Sequence, residues 1–242
     1  MLNKKRILSI ILARENSKGL PGKNIKNLNG KPLLAWPILA SIESKYVDTT
    51  ILSTDSKDYA EIGKSYGASI PFIRPRDLAD DISSSSDALI HAIDFLRTMN
   101  DTYDYVVLLE PTSPLTQSFD IDQALEKLLN NKDESKSLVS MSEIVSKHPS
   151  YCFIVDNNML IKPFLNNTKP QRRQDIKKLF YCDGSLYISE INYFLKSNTF
   201  YHEKTIAHIM PSWKSFEIDT DLDFFMIEQI MKKYKNSEYE EK

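Results

Sequence analysis

The sequence predicts an α/β fold in which helices cover both faces of a mostly parallel sheet. Short apolar segments alternate with amphipathic segments through the first 140 residues, and that order is typical of right-handed βαβ units. The apolar segments, such as Tyr105–Leu109, are continuous, as in strands that are buried on both sides. A length of 242 residues suits a single domain.

The elements of the first half follow from apolar spacing and from turn residues. We expect strands at residues 7–13, 49–54, 69–73, 105–109 and 138–142, and helices at residues 32–44, 56–66, 86–99 and 118–130. Pro32 suits the first turn of its helix, whereas Pro37 lies inside it and argues against a straight helix. Ser56 is predicted to cap the next helix and Gly67 to end it.

The second half is less regular. Strands are predicted at residues 151–155, 185–189 and 206–210, and a closing helix at residues 221–234. The polar residues 166–178 are expected to project from the core as a loop or a small subdomain, and the last six residues to be frayed.

Charge and composition exclude several classes of protein. The chain has 31 Lys and Arg against 33 Asp and Glu, so its net charge of -2 argues against a general affinity for nucleic acid or anionic membranes. Its apolar runs are too short to span a bilayer, and the first of them ends in Arg14-Glu15 instead of a signal-peptide cleavage site. Cys152 and Cys182 form neither a disulfide framework nor a metal pair, so we interpret them as packing residues in a reducing, cytoplasmic compartment.

A basic, glycine-rich loop follows the first predicted strand. Residues 14–31 contain three of the six glycines and a single acid, Glu15. The basic residues of this loop are Arg14, Lys18, Lys23, Lys26 and Lys31. Glycines let backbone N–H groups approach phosphates, and cations neutralise their charge. The loop contains neither a Walker A motif nor GxGxxG. It predicts a phosphate site, and the alternative is a solvated basic loop with turn glycines.

Five sequence blocks occur in the order of one known family and cover nearly the whole chain. They are LARENSKGLPGKNI (12–25), IRPRDLADD (73–81), LEPTSPL (109–115), DGSLYI (183–188) and FEIDTDLD (216–223). Together they resemble the CMP-sialic acid synthetases, or N-acylneuraminate cytidylyltransferases, including their legionaminic acid branch. The resemblance implies a Rossmann-like nucleotidyltransferase fold. It also implies that CTP and a nine-carbon α-keto sugar acid give a CMP-sugar and pyrophosphate.

The resemblance also implies a set of nucleotide-binding residues. Arg14, Lys23 and Asn24 would hold the CTP phosphates, and Arg14 and Lys23 would act in catalysis together with Asp219. The remaining members of the predicted nucleotide site are Ala13, Ser17 and Lys18 at the phosphates and Arg74, Ser83 and Ser85 at the cytosine base.

Two acidic residues near the carboxyl end are candidate ligands of Mg²⁺. Alternate residues of a strand project to one face, so Glu217 and Asp219 would share one ion if they lie on a strand. Glu217 occupies a position where the family often has Asp. The alternative is that the acids at 217–223 all cap the closing helix, the role that we assign to Asp221 and Asp223.

The acceptor side departs more from the family. Glu110 replaces a common Gln, and Thr116 and Ser150 occupy positions where the family has Arg and Lys. Arg173 would pair with the carboxylate of the sugar, although a solvated basic run is an equal alternative. The other predicted sugar-binding residues are Thr112, Ser113 and Gln174, with Tyr187, Phe200 and Tyr201 as an N-acyl pocket or, alternatively, as core aromatics. These departures favour a nonulosonate such as legionaminate over N-acetylneuraminate.

The family further implies a homodimer, with a dimerisation element within residues 143–182. Three alternatives remain: a CMP-Kdo synthetase, a metal-dependent glycosyltransferase that uses Asp219-Thr220-Asp221, and a non-catalytic nucleotide-binding protein. Pyrophosphate release from CTP distinguishes the synthetases from the other two.

Overall fold

Six strands form the central sheet of the computed structural model, which describes residues 4–15, 19–80, 83–165, 172, 174 and 176–234. They are β1 (Ile7–Leu12), β4 (Thr49–Ser53), β5 (Tyr105–Leu109), β6 (Ser137–Glu143), β9 (Phe180–Glu190) and β10 (Thr205–Ile209). Their spatial order is β10-β6-β9-β5-β1-β4, and only β9 runs antiparallel to its neighbours. The mostly parallel sheet is therefore confirmed.

Two short hairpins lie outside this sheet. The first pairs β2 (Asn27–Leu28) with β3 (Lys31–Pro32), and the second pairs β7 (Phe153–Val155) with β8 (Ile161–Pro163). The first hairpin lies in the basic loop, and the second follows β6 along the chain.

Helices cover both faces of the sheet, as predicted. They are α1 (Ala35–Ile42), α2 (Lys57–Ser65), α3 (Ser85–Thr98), α4 (Ser118–Asn130), α5 (Ile191–Ser197) and α6 (Asp221–Tyr234). Residues of α1, α2 and α4 share one buried cluster with the sheet, and residues of α3 and α5 share a second cluster. Continuous burial of β1 and β5 follows from this two-sided cover.

A third apolar cluster joins the two ends of the chain. Leu20 and Leu28 from the basic loop pack with Leu115, with Ile218 and with Phe224 of α6. Burial of these side chains fixes the basic loop against the acidic stretch that precedes α6. Residues that lie almost 200 positions apart in sequence are thereby brought to the same edge of the sheet.

Two predictions for the first half are wrong. Residues 69–73 do not form a strand: Ser69 makes one bridge to Ile51, and Pro71 then lacks the N–H that continued pairing needs. The helix predicted from residue 32 begins at Ala35, because Lys31–Pro32 belong to β3. Asn29 (φ 49°) and Gly30 (φ 90°) form the turn of the β2–β3 hairpin, for which Asn-Gly is a strong signal.

Other local expectations also need correction. Ser56 precedes α2 but makes no capping bond; its hydroxyl donates to Glu15 Oε1 at 3.1 Å. Helix α5 was not expected, and β9 extends beyond the predicted residues 185–189. Cys152 and Cys182 are exposed and are not packing residues. The predicted tail and most of residues 166–178 lie outside the described residues. No described helix has the length and apolarity needed to cross a membrane.

Candidate functional site

Two connected cavities open at the carboxyl ends of β1 and β5. The Lys23 cavity, of about 260 Å³, is lined by the basic loop, by Pro111 and Thr112 and by Asp219. The Ser83 cavity, of about 230 Å³, is lined by Arg74 and by the serines that precede and begin α3. Both cavities share Leu12, Arg14 and Glu110. They form the kind of groove at strand ends in which parallel α/β sheets bind ligands.

Lys23 connects the basic loop to the acidic stretch. Gly22 adopts φ 67°, a left-handed conformation that favours glycine, and Lys23 begins a 3-10 turn directly after it. The Lys23 ammonium donates to Ile218 O at 3.0 Å and to Asp219 Oδ1 at 3.3 Å. Only 13% of the side chain is exposed. A largely buried cation therefore faces the Lys23 cavity, and within the described part of the chain Asp219 is its one carboxylate partner.

The basic loop is fixed by two further contacts. Asn24 is buried, and its Nδ2 donates to Arg14 O at 2.9 Å. Gly19 lies so close to the acidic stretch that a Cβ there would be 2.7 Å from the carbonyl oxygen of Asp219. Only glycine permits this approach without displacement of the backbone. Ala13 is buried at the end of β1, and its N–H donates to Ser53 O at 3.1 Å.

Arg74 brings a guanidinium group to the Ser83 cavity. The residue is 5% exposed, and its Nε has no hydrogen-bond partner among the described residues. Burial lowers the pKa of Arg74, and the charges of Asp55 and Glu110 partly offset this effect. Arg74 therefore lines the Ser83 cavity with an Nε donor that no described residue satisfies.

The serines beside Arg74 have different roles. Ser84 caps α3 in a reciprocal pair with Asp87. The hydroxyl of Ser83 donates to Asp80 Oδ1 and to Asp77 O, both at 2.6 Å, while Arg14 Nη1 donates to Asp80 O at 2.9 Å. The predicted residues Ser83 and Ser85 thus line the cavity, and the capping role belongs to Ser84 between them.

Glu217 and Asp219 do not lie on a strand, so the alternation of strand side chains does not place them on one face. They belong to an irregular stretch between a 3-10 turn (Ser212–Lys214) and α6, where Ile218 N donates to Thr112 O at 2.9 Å. Because Ile218 is anchored in the third apolar cluster, the acidic residues on either side remain exposed.

The Glu217 carboxyl group occupies a space that exists because residue 184 is glycine. Gly184 has φ 73°, and a Cβ there would lie 1.5 Å from Glu217 Oε1. Ser113 Oγ donates weakly to the same oxygen at 3.5 Å. Desolvation raises the pKa of Glu217, and the charges of Asp219 and Asp183 raise it further.

The donor set at 217–219 fits a magnesium ion bound with a nucleotide. Carboxylate oxygens are hard ligands. Desolvation, and after it repulsion by Asp219, raises the pKa of Glu217, and a bound cation would relieve that repulsion. Among the described residues, no group of three or more His, Cys, Asp or Glu is arranged to hold a metal. The two carboxylates therefore suit an ion that takes its other ligands from phosphates and water.

The predicted sugar-binding residues divide into several locations. Thr112 lines the Lys23 cavity, and Ser113 is buried beneath Glu217. Gln174 lines a separate cavity of about 360 Å³ together with Glu143 and His148. The predicted residues Ser17, Lys18 and Arg173 lie outside the described residues.

Glu110 and the aromatic residues lie on the β9 side of the groove. Glu110 is half-buried directly after β5, and burial together with the charge of Glu217 raises its pKa to about 7. Burial, a hydrogen bond to Tyr201 and the charges of Glu110 and Glu217 raise the pKa of Tyr187. Phe200 is 6% exposed and belongs to the second core cluster, with its ring 5.4 Å from that of Tyr187, whereas Tyr201 is 52% exposed.

The acids that follow the candidate metal ligands begin α6, as predicted. Asp221 and Asp223 both lie in its first turn. Asp223 Oδ2 accepts hydrogen bonds from Thr220 N at 2.8 Å and from Asp219 N at 3.2 Å. Sequence reasoning missed the close contacts of Gly19 and Gly184, although both glycines belong to the quoted blocks.

Solved structures of nucleotidyltransferases share this fold. A CMP:2-keto-3-deoxy-manno-octonic acid synthetase complexed with CTP matches with a TM-score of 0.67 at 14% identity, covering 94% of this chain and 99% of the other. A 4-diphosphocytidyl-2C-methyl-D-erythritol synthase from Anaerococcus prevotii matches with a TM-score of 0.61, also at 14% identity and with the same coverage. The predicted nucleotidyltransferase fold is thereby confirmed.

Sequence relatives and a family model identify the family. The chain is 37% identical to a CMP-N,N'-diacetyllegionaminic acid synthase of Legionella pneumophila, over 93% of this chain and 96% of the relative. It is 33% identical to a pseudaminic acid cytidylyltransferase of Campylobacter jejuni, over 91% and 94%. An N-acylneuraminate cytidylyltransferase of Streptococcus agalactiae is 36% identical over 91% of this chain and 52% of its own length. The cytidylyltransferase family model matches residues 8–242, so this chain is an enzyme of the cytidylyltransferase family.

Proposed function

We propose that this enzyme transfers CMP from CTP to a nonulosonic acid, a nine-carbon α-keto sugar acid, and releases pyrophosphate. The observation that carries the proposal is the contact between the basic loop and the acidic stretch, where Lys23 meets Asp219 at the Lys23 cavity. Phosphates bind to cations, and a nucleotide-bound Mg²⁺ binds to carboxylates. The groove supplies both kinds of group. The named relatives with similarity over most of their length act on sugars of this class.

The residues of the groove suit transfer at the α-phosphate. In this reaction a hydroxyl oxygen of the sugar loses its proton to solvent and forms a bond to the α-phosphorus, while the bond between the α-phosphorus and the bridging oxygen of the leaving pyrophosphate breaks. Negative charge develops on the leaving pyrophosphate, and fixed cations stabilise that charge. Lys23 and Arg14 are such cations. The Lys23 ammonium donates to Ile218 O and Arg14 Nη1 donates to Asp80 O, so both groups are held before substrate arrives.

Glu217 and Asp219 are the residues that we propose to hold Mg²⁺. When bound, the ion neutralises phosphate charge and orients the triphosphate. Gly184 leaves room for the Glu217 carboxyl group, and the Lys23 ammonium, close to Asp219, is available for the phosphates.

Replacing Asp219 with Asn tests this assignment. We expect the Mg²⁺ concentration for half-maximal pyrophosphate release to rise by about tenfold or more, because one charged oxygen ligand is lost. Asp221→Asn is the matched control: Asp221 pairs with Lys26 outside the two cavities, and its substitution should leave the Mg²⁺ dependence unchanged. An unchanged Mg²⁺ dependence in Asp219→Asn would exclude this residue as a ligand.

The acceptor that we propose is a legionaminic acid. The Legionella relative named for it has 37% identity, and the acceptor-side departures at Glu110 and Thr116 point away from N-acetylneuraminate. The Kdo alternative rests on structural similarity at 14% identity, which shows the fold alone.

An assay with CTP and separate sugar acids tests the function. N,N'-diacetyllegionaminate, pseudaminate, N-acetylneuraminate and Kdo are offered one at a time, and pyrophosphate and CMP-sugar are measured. We expect stoichiometric release of both, with the highest kcat/KM for the legionaminate. Release with Kdo alone would establish the Kdo alternative. Consumption of a preformed nucleotide sugar, with no pyrophosphate from CTP, would establish the glycosyltransferase alternative.

We also propose that the enzyme is a homodimer through the β7–β8 hairpin. Seven apolar side chains in and beside this hairpin are between 51% and 78% exposed: Phe153, Ile154, Val155, Met159, Leu160, Ile161 and Phe164. Monomeric soluble proteins rarely expose so continuous an apolar surface, and an isolated two-stranded hairpin is only marginally stable. A second copy of the chain would bury the surface. The location agrees with the predicted dimerisation element at 143–182.

Charged substitutions in the hairpin test the dimer. We expect the double substitution Ile154→Asp and Ile161→Asp to convert a dimer of about twice the chain mass into a monomer, because each new carboxylate would have to be desolvated in the interface. Light scattering after gel filtration measures the mass. Lys162→Ala, which changes the exposed residue paired with Ile154, is the control and should remain dimeric. A monomeric wild-type protein at micromolar concentration would contradict the proposal.

We place the enzyme in the cytoplasm. Cys152 and Cys182 are both exposed and unpaired. Exposed thiols remain reduced in that compartment and are prone to oxidation outside it.

A further inference from the structure

A cavity of about 310 Å³ lies between α1, the start of α4, the 3-10 turn at 212–214 and α6. None of its lining residues belongs to the Lys23 cavity or the Ser83 cavity. Both tryptophans of the chain, Trp36 and Trp213, line it, and we refer to it as the tryptophan cavity. A cavity of this size, with aromatic walls and few charged groups, is typical of a small-molecule site.

The aromatic walls of the tryptophan cavity are fixed by packing. The Trp213 and Tyr234 rings stack with their centroids 4.5 Å apart and their planes 20° from parallel. Trp36 Nε1 donates to Leu28 O at 3.2 Å, which sets the orientation of the Trp36 ring. Both tryptophans pack against the third apolar cluster. Because the walls are formed before a ligand arrives, binding costs little conformational entropy.

The charged groups of the cavity lie at opposite ends of α1. Lys31 precedes α1, and its ammonium group lies over the Trp36 ring, 4.8 Å from the centroid. This ammonium group makes no ion pair or hydrogen bond with any residue that the structure describes. Glu43, the acid among the described lining residues, is exposed directly after α1, about 10 Å along the helix axis from Trp36. The end of the cavity near Trp36 is therefore positive.

We propose that the tryptophan cavity is a second ligand site, which binds a small molecule with a planar aromatic ring and an anionic group. The ring would pack against the Trp213–Tyr234 pair, and the anionic group would pair with the Lys31 ammonium. A cationic ligand is disfavoured, because Lys31 already occupies the face of Trp36 and would repel it. The inference is independent of the proposed function, since the cavity and the nucleotide groove have no residue in common.

A matched pair of fluorescent compounds tests the site. Anilinonaphthalene sulfonate is an aromatic anion, and phenylnaphthylamine is the same ring system without the sulfonate. Both tryptophans line the cavity, so a compound bound there receives excitation energy from them, and its emission reports binding. We expect saturable binding of the sulfonate at one site per chain with a micromolar Kd. Absence of saturable energy transfer would overturn the inference.

Substitutions in the cavity separate recognition of the charge from recognition of the ring. Lys31→Met is expected to weaken binding of the sulfonate by about fivefold or more and to leave the Kd of the neutral compound within about twofold. Lys45→Met is the matched control: Lys45 is exposed after α1 and does not line the cavity, so neither Kd should change. Equal effects of Lys31→Met on the two compounds would contradict the role of the charge.

Tyr234→Leu keeps an apolar side chain but removes one aromatic wall. We expect it to weaken binding of both compounds by about threefold or more, because each loses a ring contact. Unchanged binding of both compounds in this variant would exclude the Trp213–Tyr234 pair as the wall that contacts the ring.

A compound bound in the nucleotide groove would depend on Lys23 instead of Lys31. Lys23→Met should leave the Kd of the sulfonate within about twofold, and a greater loss than in Lys31→Met would overturn the inference. In the Lys23→Met variant, CMP and indole acetate are then offered as competitors, which distinguishes a nucleotide from a simple aromatic acid as the natural ligand. Displacement of the sulfonate by either competitor supports the site, and displacement by neither at millimolar concentration would overturn it.

Discussion

Lys23→Met is expected to lower kcat/KM for CTP by about 100- to 1,000-fold, the usual cost of removing one preorganised charge that stabilises a developing anion. Lys23 is 13% exposed and is held by Ile218 O, so its ammonium group is positioned before CTP binds. Methionine fills a similar volume without the charge, and the packing of the loop should survive. The measurement is the initial rate of pyrophosphate release over a range of CTP concentrations.

Lys26→Met is the matched control for this prediction. Lys26 belongs to the same loop and also pairs with an acid near the start of α6, in this case Asp221, but it lines neither cavity. We expect its kcat/KM for CTP to stay within about threefold of wild type. Similar losses in both lysine variants would show that the basic loop acts through its overall charge and not through a positioned ammonium group.

The location of the site, at the carboxyl ends of β1 and β5, could be predicted because it depends on local sequence patterns. Apolar continuity identified β1 and β5, and parallel strands end at the same edge. The basic loop and the acidic stretch at 217–219 were recognised separately from charge and spacing. Sheet topology predicts that both segments lie at this edge, but no local property of Lys23 indicates that its ammonium group contacts Asp219, almost 200 residues away.

The remaining site features depend on tertiary packing. The sequence does not show that Gly184 makes room for Glu217, since that contact joins β9 to the stretch before α6. Phe200 is buried and the adjacent Tyr201 is exposed. Which of the two aromatic side chains enters the core depends on the packing of α5 on the sheet, where Phe194 contacts Phe200. The β2–β3 hairpin, in contrast, could have been predicted, because the dipeptide Asn29-Gly30 is a local signal for a hairpin turn.

Lys214 forms a buried ion pair that no sequence pattern indicated. Its side chain is 4% exposed, and that of its partner Asp120 is 5% exposed. The ammonium group donates to Asp120 Oδ1 at 2.7 Å and to Gln117 Oε1 at 2.9 Å, and it contacts Asp120 Oδ2 at 2.5 Å. The pair connects the 3-10 turn at 212–214 to the start of α4. The acidic stretch at 217–219 begins three residues after Lys214, so the pair anchors it.

Lys214→Met is therefore expected to lower the free energy of unfolding by about 3 kcal/mol, because it leaves the Asp120 carboxylate buried without its counter-charge. The amino terminus of α4 offsets part of that cost, which keeps the expected loss near the lower end of the range for broken buried pairs. Urea denaturation measures the change. Lys127→Met removes an exposed lysine that donates to Ala207 O, and it should cost less than about 0.5 kcal/mol.

The double variant Lys214→Met with Asp120→Leu separates charge from packing. If the cost arises from the uncompensated carboxylate, removing both charges should recover most of the stability that Lys214→Met loses, because apolar groups of similar volume often replace buried ion pairs without loss. Persistent loss in the double variant would instead assign the effect to side-chain shape. Pyrophosphate release by the double variant then tests whether the acidic stretch is still held in position. If its Mg²⁺ dependence equals that of wild type, packing of the 3-10 turn at 212–214 against α4 positions the acidic stretch, and the charges of the pair are not required.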